Sequence, residues 1–198
     1  MENINLTPEE SFNIINKAIA NFKLNYRETA KVFLLWGWVL AIASFSNFII
    51  LKILYSREAL GLMGLLSLCN WALFLLIGFI IMFFMERKSN KDKKVFSYLE
   101  SYFKNLWTVT AASFIIATFI CIKLEINPPP IMLLIAGIAT TTSGLLIKYR
   151  PVIVGGMAFF IFSLAATFVS NEYISLIVFA AIICGYLIPG YSLKSAKA

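Results

Sequence analysis

The residues able to do chemistry are few, and counting them removes most chemistries. The chain contains no histidine, so neither a Ser–His nucleophile pair nor the usual Cys–His zinc sets can be assembled. Asp92 is the only aspartate, so no pair of aspartates can share a site. The nine glutamates lie in polar stretches or at the ends of apolar ones. Cys69, Cys121 and Cys184 sit one apiece in separate apolar runs without metal-ligand spacing, and read as small packing residues. No phosphate-binding glycine loop, dinucleotide fingerprint or metalloprotease motif occurs. The sequence therefore predicts no catalytic residue, no metal site and no cofactor.

What remains are uncharged polar and small residues inside apolar runs, and one basic cluster between two of them. Ser44 and Asn47 share a helical face, as do Ser67, Asn70 and Trp71. Counting residues puts Asn47 and Asn70 at matching depth, about 5 and 4 Å from the middle of their runs. The expectation is one buried polar cluster of these five, acting as a clamp or as a solute site with the Trp71 ring as its wall. Ala136, Thr140 and Gly144 recur at four-residue spacing, and Gly155 and Gly156 follow on the next run. Small residues let helix backbones approach closely where lipid supplies no hydrophobic drive, so these five are expected at helix contacts. Arg87, Lys88, Lys91, Lys93 and Lys94 form the basic cluster, with the chemistry of anionic lipid headgroups.

The elements that hold these residues follow from composition. Hydrophobic residues make up 60% of the 198 and charged ones 14%, against roughly 45–50% and about 25% in soluble domains. Six stretches meet or approach the length of about 20 apolar residues that crosses a bilayer. They are 32–55, 60–85, 106–122, 129–147, 151–170 and 173–188. The fifth and sixth are separated only by Asn171 and Glu172, which reads as a tight helical hairpin. The fold expected is all-α and polytopic: a cytoplasmic amphipathic segment at 1–31, six spans within 32–188, and a cytoplasmic tail at 189–198. The first thirty residues lack a basic n-region and an apolar h-region, so the first span is expected to stay in the protein.

Orientation follows from the basic residues in the loops. With the N-terminus inside, fourteen Lys and Arg fall on the cytoplasmic side and three on the other, Lys52, Arg57 and Lys123. Both ends are therefore expected in the cytoplasm. The net charge of +7 is spread in short runs between spans, which argues against nucleic acid as a partner. Thr7-Pro8-Glu9-Glu10 resembles a helix start, and Phe12, Ile15, Ile19 and Phe22 then recur at helical spacing. A second stripe, Val95, Leu99 and Tyr102 in the segment 92–105 and then Leu106, leads into the third span. Both suit amphipathic helices lying at the headgroups. Trp36, Trp38, Trp107, Tyr149, Tyr186 and Tyr191 fall near the cytoplasmic ends of spans, where aromatic belts form.

Tyr186-Leu187-Ile188-Pro189-Gly190-Tyr191 is expected to break the last helix at the proline. With Leu35-Trp36-Gly37-Trp38 in the first span and the acidic amphipathic start, the chain resembles a group of small uncharacterised bacterial integral membrane proteins. That resemblance implies a membrane protein and transfers no activity. Lys outnumbers Arg thirteen to four and Ile and Asn are plentiful, which points to an AT-rich bacterium and its cytoplasmic membrane. The six cores hold no ionisable residue, which disfavours ion-coupled transport. The functional expectation is a non-enzymatic membrane protein, an accessory, regulatory or scaffold subunit working through lipid, a membrane-protein partner or a second copy. The alternative is a small permease component, or a subunit binding a neutral or apolar solute.

Overall fold

In lipid every backbone N–H and C=O must find its partner inside its own segment, so long apolar runs without breakers become helices. The computed structural model describes residues 8–57, 60–89 and 98–195, and the side chains of 29–57, 61–87 and 101–195. Among these residues every regular element is a helix and there is no strand. The helices are α1 (Pro8–Ser56), α2 (Met63–Ser89), α3 (Tyr98–Leu124), α4 (Pro128–Leu146), α5 (Arg150–Ala166), α6 (Ile174–Ile182) and α7 (Ile188–Ser195). A π-helical turn, Ile183–Leu187, joins the last two. Five segments are long and apolar enough to cross a membrane: Thr29–Ser56, Met63–Arg87, Ser101–Leu124, Pro128–Leu146 and Ile174–Ser195. This is the pattern of a membrane protein. The expected fifth span, 151–170, is shorter in the structure: α5 has 17 residues, about 26 Å of helix.

The first helix differs from expectation. No Gly or Pro occurs between Glu9 and Trp36, and nothing interrupts the hydrogen-bond ladder there. The helix runs unbroken for 49 residues, so from Pro8 the expected amphipathic segment extends the first span and is not a separate element. The side chains of Phe12, Ile15, Ile19 and Phe22 lie outside the described residues. Of the second stripe, Val95 lies outside them, and Leu99, Tyr102 and Leu106 belong to the opening turns of α3.

Two reversals close with residues other than glycine in the left-handed region. Glu125 has φ 55° and Lys148 φ 53°. Around each, the two following-turn bonds of a Schellman motif form. Ile126 N–H reaches Cys121 O at 3.0 Å, and Tyr149 N–H reaches Gly144 O at 3.0 Å. Prolines then start the next helix within its first turn, where a missing N–H costs nothing.

The last helix is the other departure. Pro189 was expected to end it, since proline removes an N–H and its ring crowds the carbonyl four residues back. The helix instead continues to Ser195. The preceding turn widens, with Ile188 N–H bonded to Ile183 O, five residues back. The freed carbonyls of Cys184 and Gly185 face Gly155 of α5, where a Cβ would lie 3.3 and 2.9 Å from them. Pro189, Gly190 and Leu193 are buried, so residues 189–195 are part of the bundle and not a tail.

The helices pack as antiparallel neighbours. α1 lies between α2 on one side and α6–α7 on the other. Trp36 of α1 covers Gly78 of α2, while Leu34 packs near Gly190 and Ser44 bonds Ser175. The start of the first span and the end of the last therefore share one end of the bundle. α4 and α5 run against each other along their whole length, from Gly144 beside Ile153 to the Ser163 hydroxyl, which donates to Pro130 O at 2.7 Å. Asn127 and Asn171 join the two loops at the far end, 2.6 Å apart. The core gathers Phe33, Leu133, Val152, Phe159, Ile182 and Tyr186 from five of these elements.

Candidate functional site

Two adjacent residues of α1 point about 100° apart on the helix, and that angle divides the expected polar cluster in two. Ser46 faces α2: its hydroxyl donates to Asn70 Oδ1 at 2.7 Å. The other end of the same amide, Nδ2, donates to the Ala43 carbonyl at 3.0 Å. Asn47 and Ser44 face α6. Asn47 Nδ2 donates to Ser175 Oγ at 2.9 Å, and the Ser44 hydroxyl donates to the Ser175 carbonyl at 2.6 Å. Asn47 and Asn70 are both buried, yet their hydrogen bonds go to different helices. Ser67 is half-buried, and the half-buried Trp71 packs on the core. Ser46 and Ser175 were missed. Ser175 carried one signal, a lone hydroxyl near the start of the most apolar helix.

The small residues separate likewise. Gly144 seats Ile153 of α5, whose nitrogen would lie 2.6 Å from a Cβ there. Gly156 seats the main chain of Thr141, whose nitrogen would lie 2.5 Å from a Cβ there. Gly155 turns the other way, toward Pro189 and the widened turn. Ala136 and Thr140 are buried in the core. Gly144, Gly156 and Gly155 are thus contacts where backbone meets backbone.

At the end of the bundle that carries the chain ends, the interior holds a further group that sequence reasoning assigned to the membrane surface. The Tyr186 ring lies 4.9 Å from Phe159, 5.6 Å from Phe33 and 6.4 Å from Trp107. Tyr186 is buried and Trp107 half-buried, so neither belongs to an exposed aromatic belt. Thr140 and Ser143, one turn apart on α4, are wholly buried. The Thr140 hydroxyl lies against that of Tyr186; among the described residues Ser143 Oγ, Thr141 Oγ1, Asn47 Oδ1 and Trp107 Nε1 have no hydrogen-bond partner. Thr142 on the same helix bonds back to Ile138 O at 2.8 Å. The unpaired Thr141 and Ser143 hydroxyls forgo that bond, which leaves them buried at a cost of roughly 1–3 kcal/mol each.

Trp38 and Tyr191 are exposed, as an interfacial pair should be, and the indole N–H donates to the Tyr191 hydroxyl at 3.1 Å. Below them a groove of about 480 Å³ opens between α1 and the last span. Of the expected lipid-binding cations, Arg87 is exposed and its guanidinium stands 4.5 Å over the Phe83 ring. The Lys88 side chain and all of Lys91, Lys93 and Lys94 lie outside the described residues. No acidic or basic side chain is buried among the described residues. The described interior can therefore hold helices together and hydrogen-bond a neutral group. No family model, curated protein or solved structure matches the chain.

Proposed function

We propose that the chain is a six-span protein of a bacterial cytoplasmic membrane that acts without catalysis, as an accessory, regulatory or scaffold subunit. The observation that carries this reading is α2. Only 6% of the residues in its 18-residue apolar core are buried, and its main helical neighbour among the described residues is α1. A helix attached on one side leaves most of its surface for a partner or for lipid. Close-packed glycines and neutral buried hydroxyls in the rest of the bundle suit a structural role. Photo-crosslinking tests it, with the reactive residue placed at Leu76 on α2 and, for comparison, at Val154 on the outer face of α5. Discrete protein adducts from Leu76 alone support a contact-making subunit. Lipid adducts alone at both positions overturn it.

Six spans with both ends inside rest on two supports. α5 covers the depth of α4 despite its 17 residues, and fourteen basic residues against three favour this orientation. Cysteine labelling in intact cells, with Cys69, Cys121 and Cys184 replaced, should mark a cysteine at Glu58 and spare one at Asn90. The reverse pattern inverts the topology.

The unpaired Thr141 and Ser143 hydroxyls favour a second reading, a permease component or subunit that binds a neutral solute. Proteoliposome swelling in glycerol, urea or sugars distinguishes the two. Swelling that Thr141→Val and Ser143→Ala slow would favour the second.

A further inference from the structure

The groove beside Trp38 has a shape and a charge that most lipid-facing surfaces lack. Its walls are apolar: Trp38 and Ala41 from α1, and Phe179, Ile183, Leu187 and Tyr191 from the last span. Ala41 forms the floor and is 2% exposed; its short side chain leaves the room. The groove is bounded at both ends. At one, Trp38 Nε1 donates to the Tyr191 hydroxyl; at the other, the Phe45 and Phe179 rings meet with centroids 5.8 Å apart. Seven residues of helix separate these closures, about 10 Å. The volume of about 480 Å³ lies within the roughly 300–1,000 Å³ of ligand pockets. Water has no reason to enter such a surface in a bilayer, and a hydrocarbon chain does.

The head end is where the groove departs from ordinary lipid contact. Lys31 precedes Trp38 by seven residues, two helical turns along the same face of α1. Lys194 follows Tyr191 by three, one turn along the same face of α7. Both lysines are exposed, and both stand beyond the Trp38–Tyr191 pair, toward the chain ends and away from the groove. The Tyr191 hydroxyl accepts the indole proton and keeps its own to donate. Moving along the surface, an occupant meets an apolar slot, then a hydroxyl donor, then two ammonium groups. That order matches an acyl chain, an ester oxygen and a phosphate.

We propose that this groove is a binding site for one anionic phospholipid, with an acyl chain in the slot and its phosphate between Lys31 and Lys194. The site is separate from the Arg87–Lys94 cluster and independent of the subunit reading. A zwitterionic lipid has the same chain but brings its own cation to the lysines, so selectivity arises at the head end alone.

Tryptophan quenching by brominated acyl chains tests it on the full-length protein in nanodiscs. The difference between wild type and Trp38→Phe isolates the Trp38 signal. Half-maximal quenching of Trp38 should need at least about tenfold less brominated phosphatidylglycerol than brominated phosphatidylcholine. Lys31→Gln or Lys194→Gln should each weaken that preference about fivefold, and the double variant should abolish it. Both lysines are on the surface, so these variants fold. Ala41→Phe fills the slot; where it folds, Trp38 quenching should lose its lipid preference. Equal quenching by the two lipids in the wild type overturns the proposal, as does a preference that survives the double lysine variant.

Discussion

Two apolar spans of this molecule have opposite fates. In the 18-residue apolar core of Met63–Arg87 on α2, 6% of the residues are buried, against 56% in that of Ile174–Ser195. Met63–Arg87 is apolar around its whole circumference, so no amphipathic stripe on it tells inside from outside. Lipid tails are as apolar as Leu, and burying one more isoleucine gains little there. What differs is the distribution of small and polar groups. The last span carries Ser175, Gly185 and Gly190, each against a partner: Asn47, Phe159 and Leu34. Gly61, in the turn before α2, and Gly64 on α2 meet none of the described residues within 4 Å, and Asn70 with Gly78 supplies the attachment to α1. Fit, and not hydrophobicity, decides which helix is interior.

The largest test of that contrast is Gly156→Leu. Its Cβ would meet the Thr141 backbone at 2.5 Å, and backbone cannot step aside. Detergent unfolding should show a loss of about 3 kcal/mol or more, the upper end for overpacking. A variant as stable as the wild type would mean that α4 and α5 do not touch here.

A smaller effect separates the two polar contacts of α1. Asn47→Leu and Ser175→Ala should be coupled, by about 0.6 kcal/mol on average for membrane hydrogen bonds. Asn47→Leu and Asn70→Leu should add within about 0.5 kcal/mol, because they share no partner. Coupling between the two asparagines would restore the single cluster that residue counting suggests.

The smallest effect is expected at Gly64→Leu. With open space around the site, stability should stay within about 0.5 kcal/mol or rise slightly, since leucine favours helix over glycine by under about 1 kcal/mol. A large loss would reveal a contact on the outer face of α2.

Much of this was open to reading in the sequence, for particular reasons. The helices between Val32 and Ile188 emerge from runs of apolar residues, and their reversals from Asn127-Pro128 and Tyr149-Arg150-Pro151. The end of the last helix was misjudged because Pro189 carries a strong local rule. That rule yields when a widened turn and a glycine on the neighbouring helix accommodate the freed carbonyls. Tyr186 and Trp107 were misjudged because an aromatic residue near a span end fits the interface equally well. Only the packing of α1, α3 and α5 around them puts them inside.

The sequence by itself determined that this chain is helical and apolar enough for a membrane, and how far along its apolar run each polar residue lies. Both are one-dimensional quantities: backbone hydrogen bonds close within a segment, and depth is a count of residues at a constant rise. The tertiary structure decided which residues meet. Asn47 and Asn70 have matching depths, but Asn47 bonds α6 and Asn70 bonds α1 from the α2 side. Direction around a helix becomes a partner only when neighbouring helices take their places, and in lipid that order depends on close fit between surfaces that composition barely distinguishes.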